Sequence, residues 1–522
     1  MNPLATTMFE LFADNLPHRV DNIFLIDPDR SWTYGAVAAE IDRVAAFLAL
    51  RGVGPGDRVV VQLRKGMREV AAMLAAAQLG AVFVNVSTAW TPEQLLYVVE
   101  DSGARALIIE PAAAQALPAD LLEAVLVLVS DQWDRLGEVA APIVPRLDSE
   151  LAAIIYTSGS TGKPKGVMLS HRNILAGARS VARYLGLGED ERLLGLLPYS
   201  FDYGLNQLTT MMLMGGTVVH QPVAMPTEIV RAMRDHRVTG VAAVPPLWIQ
   251  LIRLLEQAPA SFPALRRITN SGGRIPTAIL EKMPDLLPGT KIFLMYGLTE
   301  AFRSTYLPPE RFAAKMGAIG RAIPGAEIYV IKPGVGIAGP GEQGELVHRG
   351  PLVSLGYWNR ADATAEKIRP CPELADLIGD EPVVYSGDMV RVDGDGDLWF
   401  VGRNDGLIKS SGFRISPDDV EDLVHRSGMA TDVVAFGVAD ELLGQSVHVA
   451  ATLLPGADAR ALTAHCRQVM PGYMVPRAIH IWPDPMPRTA SGKLARPDIV
   501  QASLRMPDNA KGAQTINPPN LA

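Results

Sequence analysis

Residues 156–166 read Tyr-Thr-Ser-Gly-Ser-Thr-Gly-Lys-Pro-Lys-Gly and follow the apolar run Leu151–Tyr156. The run predicts a buried strand, so a loop of hydroxyls, glycines and lysines begins where that strand ends. Glycines let backbone N–H groups curl around phosphate oxygens, hydroxyls donate hydrogen bonds, and lysines supply positive charge. A surface Gly/Ser turn is the alternative interpretation. The pattern favours a polyphosphate-holding loop formed by Thr157, Ser158, Gly159, Ser160, Thr161, Gly162 and Lys163.

The loop differs from the P-loop of nucleoside triphosphatases. That motif would require Gly at position 157 and Ser or Thr at position 164, whereas this chain has Thr157 and Pro164. The phosphate-holding loop therefore belongs to another design.

Composition narrows the class of protein. With 522 residues the chain is too long for one ordinary core, and 48% hydrophobic against 20% charged residues is typical of a globular α/β enzyme. The net charge of -8 gives no general attraction to nucleic acid or an anionic membrane, so an anionic ligand must be held locally. Cys371 and Cys466 lie far apart, which excludes a zinc cluster or a disulfide framework.

Two segments of the chain bear on the cellular compartment, namely the N-terminus and the most apolar window. The N-terminus has no basic segment followed by a long apolar stretch, so we expect a cytoplasmic enzyme without a signal peptide. The most apolar window, Val70–Val86, is interrupted by Gln78, Gly80 and Asn85. It predicts a buried helix running into a strand, not a transmembrane segment.

Hydrophobic periodicity predicts the domain organisation. Amphipathic stretches alternate with β-branched runs such as Arg58–Leu63 and Lys291–Met295, which is typical of βαβ units. We therefore predict an α/β fold with a large layered N-terminal domain, a small mobile α+β C-terminal domain and a flexible tail. Their bounds are 1–404, including a β-rich subdomain at about 325–400, then 405–502, then 503–522.

Taken whole, residues 156–166 resemble the signature loop of the adenylate-forming superfamily, which includes acyl-CoA synthetases, adenylation domains and beetle-type luciferases. Further segments resemble the family's motifs in the family's order: 271–273, 296–300, 385–388, 402–405 and 487–493. The resemblance implies ATP-dependent activation of a carboxylic acid as an acyl-adenylate. It places the chain in the AMP-forming acyl-CoA synthetase class of acid–thiol ligases.

The resemblance also implies a site for ATP and Mg²⁺. It places Gly272 and Gly273 beside the adenine, Tyr296 stacked on the purine, and Thr299 at the α-phosphate. Glu300 becomes the Mg²⁺ ligand, since a carboxylate suits this hard cation.

Four more residues take roles from the resemblance. Asp388 is expected to accept hydrogen bonds from the ribose hydroxyls, with Arg403 beside it, and Asp405 occupies the hinge between the domains. Lys493 is the expected catalytic lysine, reaching from the small domain into the large one. A cation between the substrate carboxylate and the phosphate reduces the repulsion of two anions.

For thioester formation, the family swings its small domain so that Lys493 withdraws and residues 409–415 enter. The thiol channel is accordingly assigned to Lys409 and Gly412, with Gly297 in the same region. The acceptor is the thiol of CoA or the phosphopantetheine of a separate carrier protein, and CoA is favoured.

The segment Phe201-Asp202-Tyr203 is predicted to line the substrate site. Many acyl-CoA and aryl-CoA ligases carry a histidine near this point, whereas Ser-Phe-Asp resembles amino-acid-activating domains, whose aspartate pairs with the substrate ammonium. The other interpretation is that Asp202 caps the following helix or faces water.

Other functional classes fit less well. A catalytically silent nucleotide-binding protein would not need Lys493, Glu300 and Asp388 together, and nothing indicates luciferase-like oxygen chemistry. No nucleic-acid or membrane partner is expected. The predicted reactants are a small carboxylic acid, ATP, Mg²⁺ and a thiol acceptor.

Overall fold

A computed structural model of the chain describes residues 5–157, 164–221, 225–403, 406–410, 413–440, 443–483, 485–489 and 492–505. The strands in these ranges are β1 Ile23–Ile26, β2 Ser31–Thr33, β3 Arg58–Gln62, β4 Val82–Asn85, β5 Ala106–Ile109, β6 Leu126–Val129, β7 Leu151–Thr157, β8 Lys165–Ser170, β9 Arg192–Gly195, β10 Thr217–His220, β11 Gly240–Ala243, β12 Arg267–Asn270, β13 Lys291–Tyr296, β14 Thr305–Leu307, β15 Arg321–Ala322, β16 Glu327–Lys332, β17 Gly336–Ile337, β18 Gln343–Arg349, β19 Ile368–Arg369, β20 Val383–Val392, β21 Leu398–Arg403, β22 Ile408–Ser410, β23 Phe413–Ile415, β24 Ala430–Asp440, β25 Gly444–Leu453 and β26 Ala478–Ile481.

Helices separate most of the parallel strands. They are α1 Met8–Ala13, α2 Leu16–Arg19, α3 Tyr34–Ala49, α4 Met67–Gln78, α5 Pro92–Ser102, α6 Pro111–Ala116, α7 Ala119–Ala124, α8 His171–Leu185, α9 Asp202–Met214, α10 Pro226–Asp235, α11 Pro245–Gln257, α12 Thr277–Leu280, α13 Met283–Leu286, α14 Ala361–Lys367, α15 Ala375–Ile378, α16 Pro417–His425, α17 Ala459–Val469 and α18 Arg496–Arg505.

Two large sheets form the N-terminal domain. The first has the order β15-β14-β13-β12-β11-β9-β10-β1-β2 and is parallel from β13 to β1, with antiparallel strands at both edges. The second has the order β6-β5-β3-β4-β7-β8, and only its edge pair β7–β8 is antiparallel. The predicted layered α/β domain is confirmed.

Helices α4 and α9 are buried on nearly every side. All residues of α9 are buried, and α4 is buried everywhere except at Arg68. A helix that is covered all round belongs to the interior of a large domain, and both helices join one hydrophobic core with α3 and α8. The window Val70–Val86 is the predicted helix leading into β4. No helix in the described part of the chain is long and apolar enough to cross a membrane.

Smaller sheets follow. An antiparallel sheet of order β17-β16-β18-β20-β19, with β21 paired to β20, forms the β-rich subdomain predicted at about 325–400. The C-terminal sheet has the order β23-β22-β25-β24, with β26 on β25 and its own core under α16 and α17.

The end of the C-terminal domain corrects one prediction. Residues 503–505, expected to begin a flexible tail, form the last turn of α18, and Ser503 is buried there beside the indole N–H of Trp482. The predicted boundary at 404/405 and the tail residues 506–522 lie outside the described residues.

Candidate active site

The predicted site residues lie at the carboxyl ends of strands from both large sheets. Thr157 ends β7, Gly272 and Gly273 follow β12, and Tyr296 ends β13. Open α/β sheets bind their ligands at this edge. The β-rich subdomain adds Asp388 from β20 to the same region.

Tyr296 and Asp388 form a buried hydrogen-bonded pair. The Tyr296 hydroxyl donates to Oδ2 of Asp388 at 2.5 Å, and burial together with the Asp388 charge raises the pKa of that hydroxyl well above its usual range. Arg403, opposite Asp388 in the strand register, places Nη1 4.0 Å from Oδ1. Each carboxylate oxygen has two acceptor sites, so Asp388 keeps capacity for a sugar hydroxyl while it holds Tyr296.

Glu300 is held by a tyrosine that the sequence did not single out. The hydroxyl of Tyr357 donates to Oε1 of Glu300 at 2.5 Å, and the Lys165 ammonium lies 5.5 Å from the centre of the Tyr357 ring. Burial and the Glu300 charge raise the Tyr357 pKa. Tyr357 therefore orients a carboxylate next to the first residues after the phosphate-holding loop.

Lys493 reaches from the small domain into the cleft of the large one. Its ammonium lies 4.9 Å from the centre of the Phe201 ring. A β-carbon added to Gly272, whose φ is +82°, would lie 2.6 Å from Cε and 3.1 Å from Nζ of Lys493. Glycine is therefore needed at 272 both for its backbone and for the space that the lysine occupies.

The charges around Lys493 have opposing effects on its pKa. Burial lowers the pKa of the ammonium, and the Arg303 charge acts in the same direction. The carboxylates of Asp202 and Asp388 oppose this lowering. Lys493 therefore lies near both Asp388, the predicted ribose ligand, and Asp202, the predicted substrate residue.

Direct contacts between the domains hold this arrangement. Arg274 Nη1 donates to Asp419 at 2.8 Å, and the backbone N–H of Thr277 donates to Asp422 at 2.8 Å. Arg253 donates to the carbonyl of Ala430 at 2.7 Å. These contacts join α16 and the start of β24 to the large domain.

Asp202 has a buried partner within the chain. It is the first residue of α9, its side chain caps nothing, and it is 4% exposed. Arg303 Nη1 donates to its Oδ2 at 3.1 Å, and the Thr299 hydroxyl donates to its Oδ1 at 3.4 Å. The prediction that Asp202 caps the helix or faces water is wrong, because Arg303 neutralises this carboxylate inside the protein.

For several of the predicted site residues, no side-chain contact with the site is described. Residues 158–163, Asp405 and Gly412 lie outside the described residues. Lys409 lies in β22, and Gly297 directly follows β13, where a β-carbon would lie 3.3 Å from Cα of Arg303.

An acidic turn outside the cleft has the spacing of a cation site. The carboxylates of Asp393, Asp395 and Asp397 lie within 4.8 Å of one another. Lys315 and Arg311 both pair with this turn, with Lys315 Nζ 2.8 Å from Asp393, and Arg321 donates to Asp397 at 2.9 Å. The turn is therefore neutralised by the protein's own cations.

A comparison with protein families identifies the chain. The family model described as AMP-binding enzyme matches residues 12–358, and the AMP-binding enzyme C-terminal domain matches residues 419–493. The chain belongs to the AMP-binding enzyme family. Its fold and the order of its motifs agree with this membership.

Curated relatives of this AMP-binding enzyme are of two kinds. A feruloyl-CoA synthase of Amycolatopsis sp is 30% identical over 90% of this chain and 93% of the relative. A linear gramicidin synthase of Brevibacillus parabrevis is 30% identical over 95% of this chain, which spans only 6% of that synthase polypeptide.

Solved structures resemble the AMP-binding enzyme over almost its whole length. The o-succinylbenzoate CoA synthetase of Bacillus subtilis, in complex with its acyl-adenylate intermediate, is 28% identical with a TM-score of 0.82, covering 94% of this chain and 97% of its own. This AMP-binding enzyme thus shares its fold with a CoA synthetase that was solved with an acyl-adenylate intermediate.

Sequence reasoning missed Arg303 and Tyr357. Arg303 lies three residues beyond the Tyr296–Glu300 motif, and the need to neutralise a buried aspartate could have suggested a nearby cation. Tyr357 lies in Gly356-Tyr357-Trp358, which carries no pattern tied to phosphate or metal chemistry. Only the folded chain brings Tyr357 to Glu300.

Proposed function

We propose that the chain activates a carboxylic acid with ATP and Mg²⁺ and transfers the acyl group to the thiol of CoA. The products are the acyl-CoA thioester, AMP and pyrophosphate. The observation that carries the proposal is the position of Lys493 in the cleft between Phe201 and Gly272.

The residues present fit a nucleotide with its metal ion. Asp388 and Tyr296 offer a carboxylate and an aromatic ring to a nucleoside, and Glu300 offers a hard oxygen donor of the type that Mg²⁺ prefers. When bound, Mg²⁺ would neutralise charge on the phosphates. Tyr357 keeps the Glu300 carboxylate oriented for this task through one of its oxygens.

In the first step a carboxylate oxygen of the acid attacks the α-phosphorus of ATP. The new acyl–phosphate bond forms as the bond to the bridging oxygen breaks, and pyrophosphate leaves. The reactants are both anions, so the Lys493 ammonium lowers the barrier by lying between their oxygens. No general base is needed because the acid is already ionised at neutral pH.

In the second step the thiol sulfur attacks the acyl carbonyl carbon, AMP leaves, and the thiol proton passes to solvent. We propose that the small domain turns about Asp405 for this step and brings the 409–415 segment to the cleft. Withdrawal of Lys493 would break the Arg274–Asp419 and Thr277–Asp422 contacts.

The state of Asp202 favours CoA ligation over amino-acid loading. A substrate ammonium would have to compete with Arg303 for a carboxylate that is already neutralised within the protein. We therefore propose that the acid carries no α-ammonium group. Loading of a carrier-protein phosphopantetheine thiol remains the second candidate.

The proposal is tested by ATP–pyrophosphate exchange with a panel of acids, followed by acceptor assays with CoA and with holo-carrier protein. We expect exchange with a subset of acids that lack an α-amino group, and thioester formation with CoA. Exchange driven by amino acids and lost in Asp202→Ala would support the carrier-protein alternative. Absence of exchange with every acid would refute acid activation itself.

A further inference from the structure

A small cavity of about 40 Å³ lies between the first sheet and helices α8 and α9. Tyr203 and Met295 line the end that lies beside the catalytic residues, while Glu191 and Arg267 line the end near the amino termini of the strands. The cavity thus runs along α9, from Tyr203, which follows Asp202 in the sequence, to Glu191. Under the proposed function, it holds the part of the acid beyond the carboxylate.

Most polar groups that line the cavity are satisfied within the protein. The Tyr203 hydroxyl is hydrogen-bonded to that of Thr269 at 2.5 Å, and the Thr210 hydroxyl donates to a backbone carbonyl at 2.6 Å. Glu191 pairs with Arg267 and accepts a hydrogen bond from Thr239. The far end is therefore charge-neutral.

Among the cavity residues that the structure describes, Gln207 has both of its side-chain polar atoms unpaired, whereas Arg267 lacks a partner only for its Nε–H. Gln207 is 5% exposed and lines the cavity, yet neither its Nε2 nor its Oε1 has a hydrogen-bond partner among the described residues. The neighbouring Asn206 is 2% exposed, lines the same cavity, and its Nδ2 likewise has none in the described part of the chain. Burying an amide without hydrogen-bond partners is unfavourable, so the unpaired Gln207 indicates a missing ligand group.

We infer that this enzyme selects acids whose chain carries a neutral amide at the depth of Gln207. The inference rests on the proposed acid activation and adds the substrate class. An amide supplies one acceptor for Nε2 and one donor for Oε1 of Gln207. A charged group is disfavoured at the far end, since Glu191 and Arg267 already pair and only the Nε–H of Arg267 stays without a partner among the described residues.

The depth follows from helix geometry. Gln207 lies five residues beyond Asp202 on α9, so it is roughly 7 Å further along the helix axis. Asp202 lies near Lys493, where the carboxylate reacts. The amide is therefore expected several bonds away from the carboxylate, and not at its α-carbon.

The experiment compares isosteric acid pairs. Each ω-amide acid from succinamic to suberamic acid is paired with the acid of the same length whose amide is replaced by an isopropyl group. The quantity measured is kcat/KM in ATP–pyrophosphate exchange for each member. We expect the amide to be preferred by roughly tenfold or more at one chain length, since apolar isosteres leave buried polar groups unpaired.

Two variants assign the preference to its residue. Gln207→Leu should abolish or invert the preference, mainly through KM, while it raises the melting temperature of the free protein because an unpaired amide is replaced by an apolar group. Met211→Leu changes the same cavity wall without a polar group and should keep the ratio.

The outcomes separate this inference from the proposed function. If the enzyme supports exchange but prefers the amide at no chain length, the inference is overturned and acid activation stands. The same holds if the preference is unchanged in Gln207→Leu. No exchange with any acid in the panel refutes the proposed function, and the substrate class falls with it.

Discussion

At the scale of single residues, the site depends on one lysine and the glycine that admits it. Lys493 lies where a side chain at position 272 would otherwise be, and Gly272 also has a positive φ. Both the space that Lys493 occupies and the positive φ thus require glycine at position 272. The effect of backbone strain can be separated from the effect of lost space, because other glycines of the chain have a similar positive φ but no neighbouring side chain.

Gly272→Ala is expected to reduce adenylation roughly a hundredfold or more, because its β-carbon would take the space of Lys493. Thioester formation from supplied acyl-adenylate should fall much less. Gly289→Ala is the control, since Gly289 has φ +75° and no atom within 4 Å of the added carbon. Equal losses in both variants would mean that backbone strain, not access of the lysine, is responsible.

The lowered pKa of Lys493 predicts a pH effect. Adenylation needs the protonated ammonium, so activity should be present below the depressed pKa and decline as pH rises through it. The alkaline limb of pyrophosphate exchange should therefore lie below the usual lysine range. In Lys493→Arg the remaining activity should persist to higher pH, because a guanidinium stays charged. An identical alkaline limb in both proteins would contradict the role of the charge.

At the scale of elements, the start of α9 is joined to the loop after β13 by a buried ion pair. Asp202 and Arg303 are separated by 101 residues and are almost fully buried. A buried pair needs both partners, since loss of one leaves an uncompensated charge. The sequence suggested a role for Asp202 but not its partner, because no local pattern links α9 to the loop after β13.

Asp202→Leu and Arg303→Met are each expected to lower the free energy of unfolding by ~3–5 kcal/mol. The double variant should lose much less than the sum of the two losses, because no unpaired charge remains. Denaturant unfolding of the four proteins measures this coupling. The exposed pair Arg172–Asp148, at 2.9 Å, is the control and should show a coupling under about 1 kcal/mol. Additive losses at Asp202 and Arg303 would contradict the pairing.

The periodicity of hydrophobic residues predicted helices and strands better than it predicted the cavity. The run Lys291–Met295 is a strand ending at Tyr296, and Val70–Val86 is a helix followed by a strand, because burial imposes those patterns. The prediction of a flexible tail is wrong for residues 503–505, which form the last turn of α18 and include the buried Ser503. The cavity beside Gln207 was not predictable, since its walls come from helices and strands that are distant in sequence.

At the scale of the whole molecule, the proposed mechanism requires that the orientation of the small domain decides which half-reaction the site can perform. In this structure α16 contacts the large domain through Asp419 and Asp422, and Lys493 occupies the cleft. The contacts of Asp419 and Asp422 are polar, which suits an interface that is made and broken during each cycle.

Asp422→Ala is expected to lower pyrophosphate exchange roughly tenfold, because it removes two hydrogen bonds that favour this orientation. Thioester formation from supplied acyl-adenylate should be unchanged or faster. Asp418→Ala on the same helix is the control, since Asp418 pairs with Arg496 of its own domain. Equal losses of both half-reactions in Asp422→Ala would indicate general destabilisation.

The most direct test of the whole account measures both half-reactions in Lys493→Ala. ATP–pyrophosphate exchange reports adenylation, and acyl-CoA formation from synthetic acyl-adenylate reports thiol transfer. The account predicts that exchange falls by at least about a hundredfold while thiol transfer proceeds at close to the wild-type rate. Loss of both reactions to the same extent, or retention of exchange, would contradict the role of Lys493 in this cleft.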